Sequence, residues 1–314
     1  MNAPDFSRYD PTLSDAITNA LANIGAALER LMPLSGPFVR DWLKYLAGTN
    51  EPADYYHQVP ISPMFWFPWF LEKALHPNPD SSFQSDLVYS TINGYYYIRL
   101  IDNLTDHHAT VELSLLPALG FFHTQFHLPY QKYFVADHPF WNFFATVWFH
   151  SADVTMMDAK MVEQDQTQFR QIAAQKICAI KIPLAAVCYQ YGQPALIAPW
   201  AQFVDSFGGW HQMYSDLFHW HEDASQATET FFLSEARRRK LAHESVADWV
   251  IREGFQWGLD CLNEWMTEVQ TQAHKLDNAD LLHYLNYRQT TARAAGAEVI
   301  AALQSASKLS SLLF

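Results

Sequence analysis

The chain has 314 residues, 49% hydrophobic and 15% aromatic, with 22 Phe, 15 Tyr and 11 Trp, enough apolar matter for a large core and too much for a disordered chain. Against 20 Lys and Arg stand 33 Asp and Glu, a formal charge of -13. No basic excess exists to displace counterions from phosphates, so nucleic acid is excluded as a partner.

Cys178, Cys188 and Cys261 have neither zinc nor CxxC spacing and read as small core residues. The opening MNAPDFSRYD lacks the apolar stretch of a secretory leader, and no run of about 18 apolar residues marks a membrane span. A cytoplasmic protein with no membrane span is expected.

Residues 1–12 read as a flexible arm. From Pro11, PTLSDAITNALANIGAALERLM is dense in Ala and Leu and predicts a helix capped by Ser14 or Asp15. Ser35–Pro37 breaks it, and a second helix runs to about Gly48. MFWFPWFLEKALHP predicts an aromatic helix interrupted at Pro68. Residues 83–116 predict a long helix broken at Gly94. Pro117, Gly120, Pro129 and Pro139 bound shorter segments, and WNFFATVWFHSADVTMMDAKM is helical again. Gln164–Tyr191 reads as a helix kinked by Pro183, and Pro199–Asp223 as one loosened at Gly208–Gly209. FFLSEARRRKLA, HESVADWVIREGFQWGLDCLNEWMTEVQTQAHKL and a last helix from about Asp280 to Ala302 complete the chain. No run alternates as strands do, and no Asn-Gly or Asp-Gly hairpin turn is present. The expected fold is all-α: a single large helical bundle over 13–314 around a central cavity.

Two stretches carry candidate chemistry. In YSTINGYYYIRLIDNLTDHH, Asp102 and Asp106 lie four apart. On one helical face they can hold hard cations against an anionic ligand; two ordinary solvated acids is the competing reading. In FVDSFGGWHQMYSDLFHWHED, Asp216, His219 and Asp223 recur at helical spacing, as do Ser215, His219 and Asp223, and Gln212 precedes Asp216 by one turn. Carboxylate, imidazole and hydroxyl so spaced suit a divalent ion, or a polar face between helices. Other chemistries lack their signatures: there is no Glu-x-x-His, HExxH, phosphate loop, GxSxG or dinucleotide glycine motif.

Together the two stretches resemble the class I isoprenoid synthase superfamily, the trans-prenyltransferases and terpene cyclases. The family's DDxxD is met by Asp102-Asn103-Leu104-Thr105-Asp106, with Asn in second place. The second prenyltransferase motif, Gly-x-x-Phe-Gln-Ile-x-Asp-Asp-x-x-Asp, is met at Gln212 and Asp216, with Ser215 and His219 where aspartates are usual. Ser215, His219 and Asp223 also follow the spacing of the terpene cyclase metal triad. Lys176 stands where prenyltransferases place a lysine that touches diphosphate, followed here by Ile177 instead of Thr. Of the N-terminal Gly-Gly-Lys-Arg-x-x-Arg only Ser35, Gly36 and Arg40 remain, and the arginine pair after the first motif is replaced by His107–Val111.

The resemblance implies an enzyme using two or three Mg²⁺ ions, with Asp102, Asp106, Ser215, Asp216, His219 and Asp223 as ligands. It implies Asp102, Asp106, Lys176 and Asp216 as the catalytic set, and Lys176, Arg237 and Gln212 as diphosphate contacts. Tyr89, Tyr96, Phe149 and Trp210 are the rings expected to face a carbocation, and plain core is the competing reading for each. The implied substrate is an allylic isoprenoid diphosphate, ionised and then cyclised or quenched by water, as in a terpene synthase. The missing basic groups weigh against a second diphosphate site. A chain-elongating, head-to-middle or head-to-head prenyltransferase is one alternative. A catalytically degenerate regulatory subunit, to which Asn103, Ser215 and His219 point, is the other. A homodimer is also implied.

Overall fold

The computed structural model describes residues 6–58, 63–105, 113–158, 165–226 and 228–313. Among these the structure is helical, and no strand occurs. The helices are α1 (Pro11–Leu31), α2 (Gly36–Ala47), α3 (Asp54–Gln58), α4 (Pro63–Leu75), α5 (Ser81–Thr105), α6 (Leu116–His127), α7 (Pro139–Asp158) and α8 (Gln166–Lys176). They continue as α9 (Lys181–Gln190), α10 (Ile197–Phe218), α11 (Trp220–Ser225), α12 (Phe231–Arg239), α13 (Val246–Trp249), α14 (Phe255–His274) and α15 (Ala279–Leu313). The all-α expectation holds. Among the described residues no single helix is long and apolar enough to cross a membrane. The chain divides into two compact units, Met1–Val147 with Ala179–Ile197, and Trp148–Cys178 with Ala198–Phe314.

In the first unit, α1 buries Leu13, Ile17, Ile24 and Leu28 along one face. Its cap is Asp10, whose Oδ1 accepts from Thr12 N at 3.0 Å, so the cap lies earlier than Ser14 or Asp15, and Pro11 fills the first helical position. Gly48 closes α2 with φ 67, the left-handed geometry expected there. Pro68 does not interrupt α4: Phe65 to Glu72 are all buried, and packing on every side outweighs one lost hydrogen bond. Nor does Gly94 break α5. A Cβ at this position would stand 3.0 Å from the Phe126 ring, so the glycine serves the close approach of α6. Tyr96, two residues on, packs among Phe122, Trp42 and Tyr56 at centroid distances of 5.4, 5.9 and 5.9 Å. Glu72 is fully buried and accepts from Asp80 N at 2.9 Å, from Gln84 Nε2 and from the Tyr191 hydroxyl. This one carboxylate ties α4, the start of α5 and the residue after α9 with charge-assisted bonds.

The helix expected over Gln164–Tyr191 breaks before Pro183, at the turn Cys178–Ile180. Pro183 falls in the first turn of α9, where an N–H has no intrahelical acceptor to lose.

In the second unit, α10 passes through Gly208 and Gly209 without loosening. A Cβ on Gly208 would stand 2.9 Å from the Ala173 carbonyl oxygen, so this glycine admits the backbone of α8. The helix stops instead at Phe218, and His219 leaves helical geometry with φ -109 and ψ 10. Two backbone bonds bridge the kink: His219 N donates to Ser215 O at 3.0 Å and Asp223 N to His219 O at 3.1 Å. The four-residue repeat therefore carries into α11.

Candidate metal and anion-binding residues

Asp102 lies in the last turn of α5 with its side chain half-exposed, and Arg99 Nη1 donates to its Oδ2 at 3.3 Å. Asn103 is buried, so the second place of the aspartate motif faces the interior of its unit, away from the half-exposed carboxylate of Asp102. Asp106 lies outside the described residues.

The second stretch is built on α10, the kink and α11. Asp216 is buried, and its Oδ1 accepts from Gln212 Nε2 at 2.8 Å. Gln212 thus serves Asp216. His219 is exposed, and its Nδ1 donates to the Ser215 carbonyl at 3.0 Å. A backbone carbonyl holding Nδ1–H leaves the lone pair on Nε2, the tautomer and support that metal-binding imidazoles use. Asp223, one turn on, is half-buried, and burial pushes its carboxyl above the usual range, with a smaller opposing pull from His219. A cation beside it would relieve that desolvation. Ser215, His219 and Asp223 therefore offer suitable donors on one repeat. Among the described residues, however, no three His, Cys, Asp or Glu side chains converge as a ligand set.

Each ring expected to face a carbocation has surroundings of its own. Tyr89 is half-buried and donates its hydroxyl to Gln125 Oε1 at 2.7 Å. Tyr96 is packed inside the first unit. Phe149 is 65% exposed: α7 turns this position to solvent. Trp210 is fully buried, donates Nε1–H to Leu262 O at 3.1 Å, and carries a cation on its face, but the cation is the chain's own. The Arg288 guanidinium, itself 4% exposed, sits 5.0 Å from the Trp210 ring and within 5.9 Å of Phe207, Tyr214 and Tyr284. Its Nη1 donates to the Tyr284 hydroxyl at 3.0 Å and its Nη2 to His211 Nδ1 at 3.3 Å. Burial first, and the Arg288 charge second, hold the His211 imidazole neutral, with its pKa down at about 3.

The expected diphosphate contacts are placed as follows. Lys176 ends α8. Arg237, in the last turn of α12, is ion-paired with Glu229, and Arg40 with Glu29. A cleft of about 580 Å³ in the second unit is lined by His150, Arg170, Gln171, Gln175, Asp205 and Ser206 among others. Arg170 is its strongest anion-binding group, although it is shared: it pairs with Glu268 and lies 5.0 Å over the Trp265 ring. The sequence reading passed over Arg170, which stands on the helix that ends at Lys176. Arg288 was missed too, since no spacing links it to the acidic stretches. Comparison with known protein families, curated proteins and solved structures finds no match to this chain.

Proposed function

We propose that the chain is a divergent class I isoprenoid synthase that ionises one allylic prenyl diphosphate, with Asp102, Asp106, Ser215, His219 and Asp223 as the residues that would hold magnesium. The observation that carries this reading is His219. Its Nδ1 is fixed on the Ser215 carbonyl, which leaves Nε2 as a ligand atom, and the half-buried Asp223 follows one turn later. Magnesium, when bound, would supply the charge that draws off the diphosphate. Asp216 has a positioning role: held by Gln212, it fixes the turn that precedes His219. Arg170 and the cleft amides Gln171 and Gln175 supply donors for an anion.

A second reading, a binding or regulatory subunit without turnover, is favoured by one observation. Arg237 and Arg40, two cations that the resemblance would offer to diphosphate, are engaged by the chain's own Glu229 and Glu29.

The test incubates the full chain with geranyl, farnesyl and geranylgeranyl diphosphates and Mg²⁺, with and without isopentenyl diphosphate, and reads products and diphosphate release. Turnover of one allylic diphosphate alone, lost in Asp102→Ala, is the expected result. Dependence on isopentenyl diphosphate would turn the reading to a chain-elongating enzyme. Absence of turnover, with allylic diphosphate binding unchanged by Asp102→Ala, would refute catalysis.

A further inference from the structure

The first unit contains a groove of about 470 Å³ between α1, α5 and the segment around the end of α6. Ala16, Ala20 and Ala27 of α1 line it with buried methyl groups. From Ala16 to Arg30 the α1 wall is about 20 Å long. Tyr89 also lies about 20 Å back along α5 from Asp102, so the groove is remote from the aspartate motif on that helix.

Polar groups gather where Tyr89 meets Gln125. Gln125 lines the groove and is 8% exposed; its Oε1 accepts the Tyr89 hydroxyl, and its Nε2 donates to no acceptor among the described residues. That amide donor is not sealed from solvent, so it is available to an acceptor from outside the chain. Arg30 lines the same groove at the last turn of α1, close enough to Tyr89 for its charge to act on the phenol, and forms no ion pair among the described residues. The other cation, Lys132, is already matched: its Nζ donates to Asp86 at 2.7 and 2.9 Å, and Asp86 also accepts the Tyr133 hydroxyl at 2.7 Å. Among the described residues the groove is left with one positive charge outside any ion pair, one amide donor without an acceptor and an apolar alanine wall.

We propose that this groove binds an amphipathic monoanion: a carboxylate head held by Arg30 and Gln125 Nε2, with a linear apolar tail along Ala16, Ala20 and Ala27. Its volume lies in the range of small-molecule sites, and a single negative head matches Arg30, the lining cation without an ion pair among the described residues. A dianionic phosphate head would leave one charge unmatched. The polar rim of α1, Asn19 and Asn23, keeps the opposite side of the tail near solvent.

The test is calorimetric titration of the full chain with decanoate. Arg30 and Ala26 are both exposed, so Arg30→Ala and Ala26→Phe leave the fold intact, which circular dichroism verifies. Saturable one-to-one binding is expected, weakened about tenfold or more by Arg30→Ala through loss of the charge-assisted bond. A similar loss is expected in Ala26→Phe, which fills the groove over the tail, and with acetate, which has no tail. Decanoate affinity equal in all three proteins, no saturable binding, or equal affinity for the uncharged decyl glucoside would each overturn the proposal.

Discussion

Acid should destabilise this protein through His211. In the folded chain the imidazole stays neutral down to a pKa of about 3, whereas a free histidine titrates at 6.5. The folded state thus binds fewer protons than the unfolded one between those values. Stability is therefore intact above 6.5 and falls as pH drops through the window, levelling off only below the folded pKa. At pH 5 the deficit spans about 1.5 units, or roughly 2 kcal/mol. The ring keeps some accessible surface, so about 2 kcal/mol is the upper figure. Urea midpoints measured from pH 7.5 to 5 would show it in the difference between the native chain and His211→Gln, because other titrating groups contribute equally to both. The native chain should lose up to about 2 kcal/mol more than the variant. Parallel pH profiles would refute the claim that burial and Arg288 exclude the imidazolium.

Two further substitutions test the packing and the acidic repeat. Gly208→Ala should destabilise by about 1–3 kcal/mol through overpacking, because its Cβ would meet the Ala173 carbonyl oxygen at 2.9 Å. A rise in thermal midpoint, the sign expected from helix propensity alone, would show that α8 yields. Asp223 has its folded pKa raised, so its favourable contribution is complete below the unfolded pKa and is lost as pH rises through the folded one. Asp223→Asn should therefore raise the thermal midpoint at pH 7 without metal, a gain that vanishes in acid. The same change should lower magnesium-dependent diphosphate release about tenfold or more. Unchanged release would remove Asp223 from the ligand set.

The helical class was readable from local signals: Ala and Leu density in α1, Gly48 at the end of α2, and long segments without alternation. The breakers were misread where their cause is tertiary. Pro68 survives because its surroundings are wholly buried, and Gly94 and Gly208 are present for Phe126 and Ala173, neighbours that no sequence window contains. The acids of the candidate site were legible because helical spacing is local. Placing Asp102 on a helix and Ser215, His219 and Asp223 on one repeat required only periodicity, whereas the helix expected over 83–116 is described only to Thr105. Which rings are available was not legible. Trp210 gives its face to Arg288 and Phe149 faces solvent, and both outcomes depend on residues far along the chain.

The Glu72 carboxylate has a consequence for synthesis. Its partners include Tyr191, which joins the first unit only in its returning segment, Ala179–Ile197. During translation the whole of Trp148–Cys178, which belongs to the other unit, leaves the ribosome before that partner arrives. Until then the nascent chain carries an acid whose native position is fully buried and whose donor set is incomplete. The first unit therefore cannot close vectorially from its N-terminus, and a fragment cut at Val147 lacks the group that completes it.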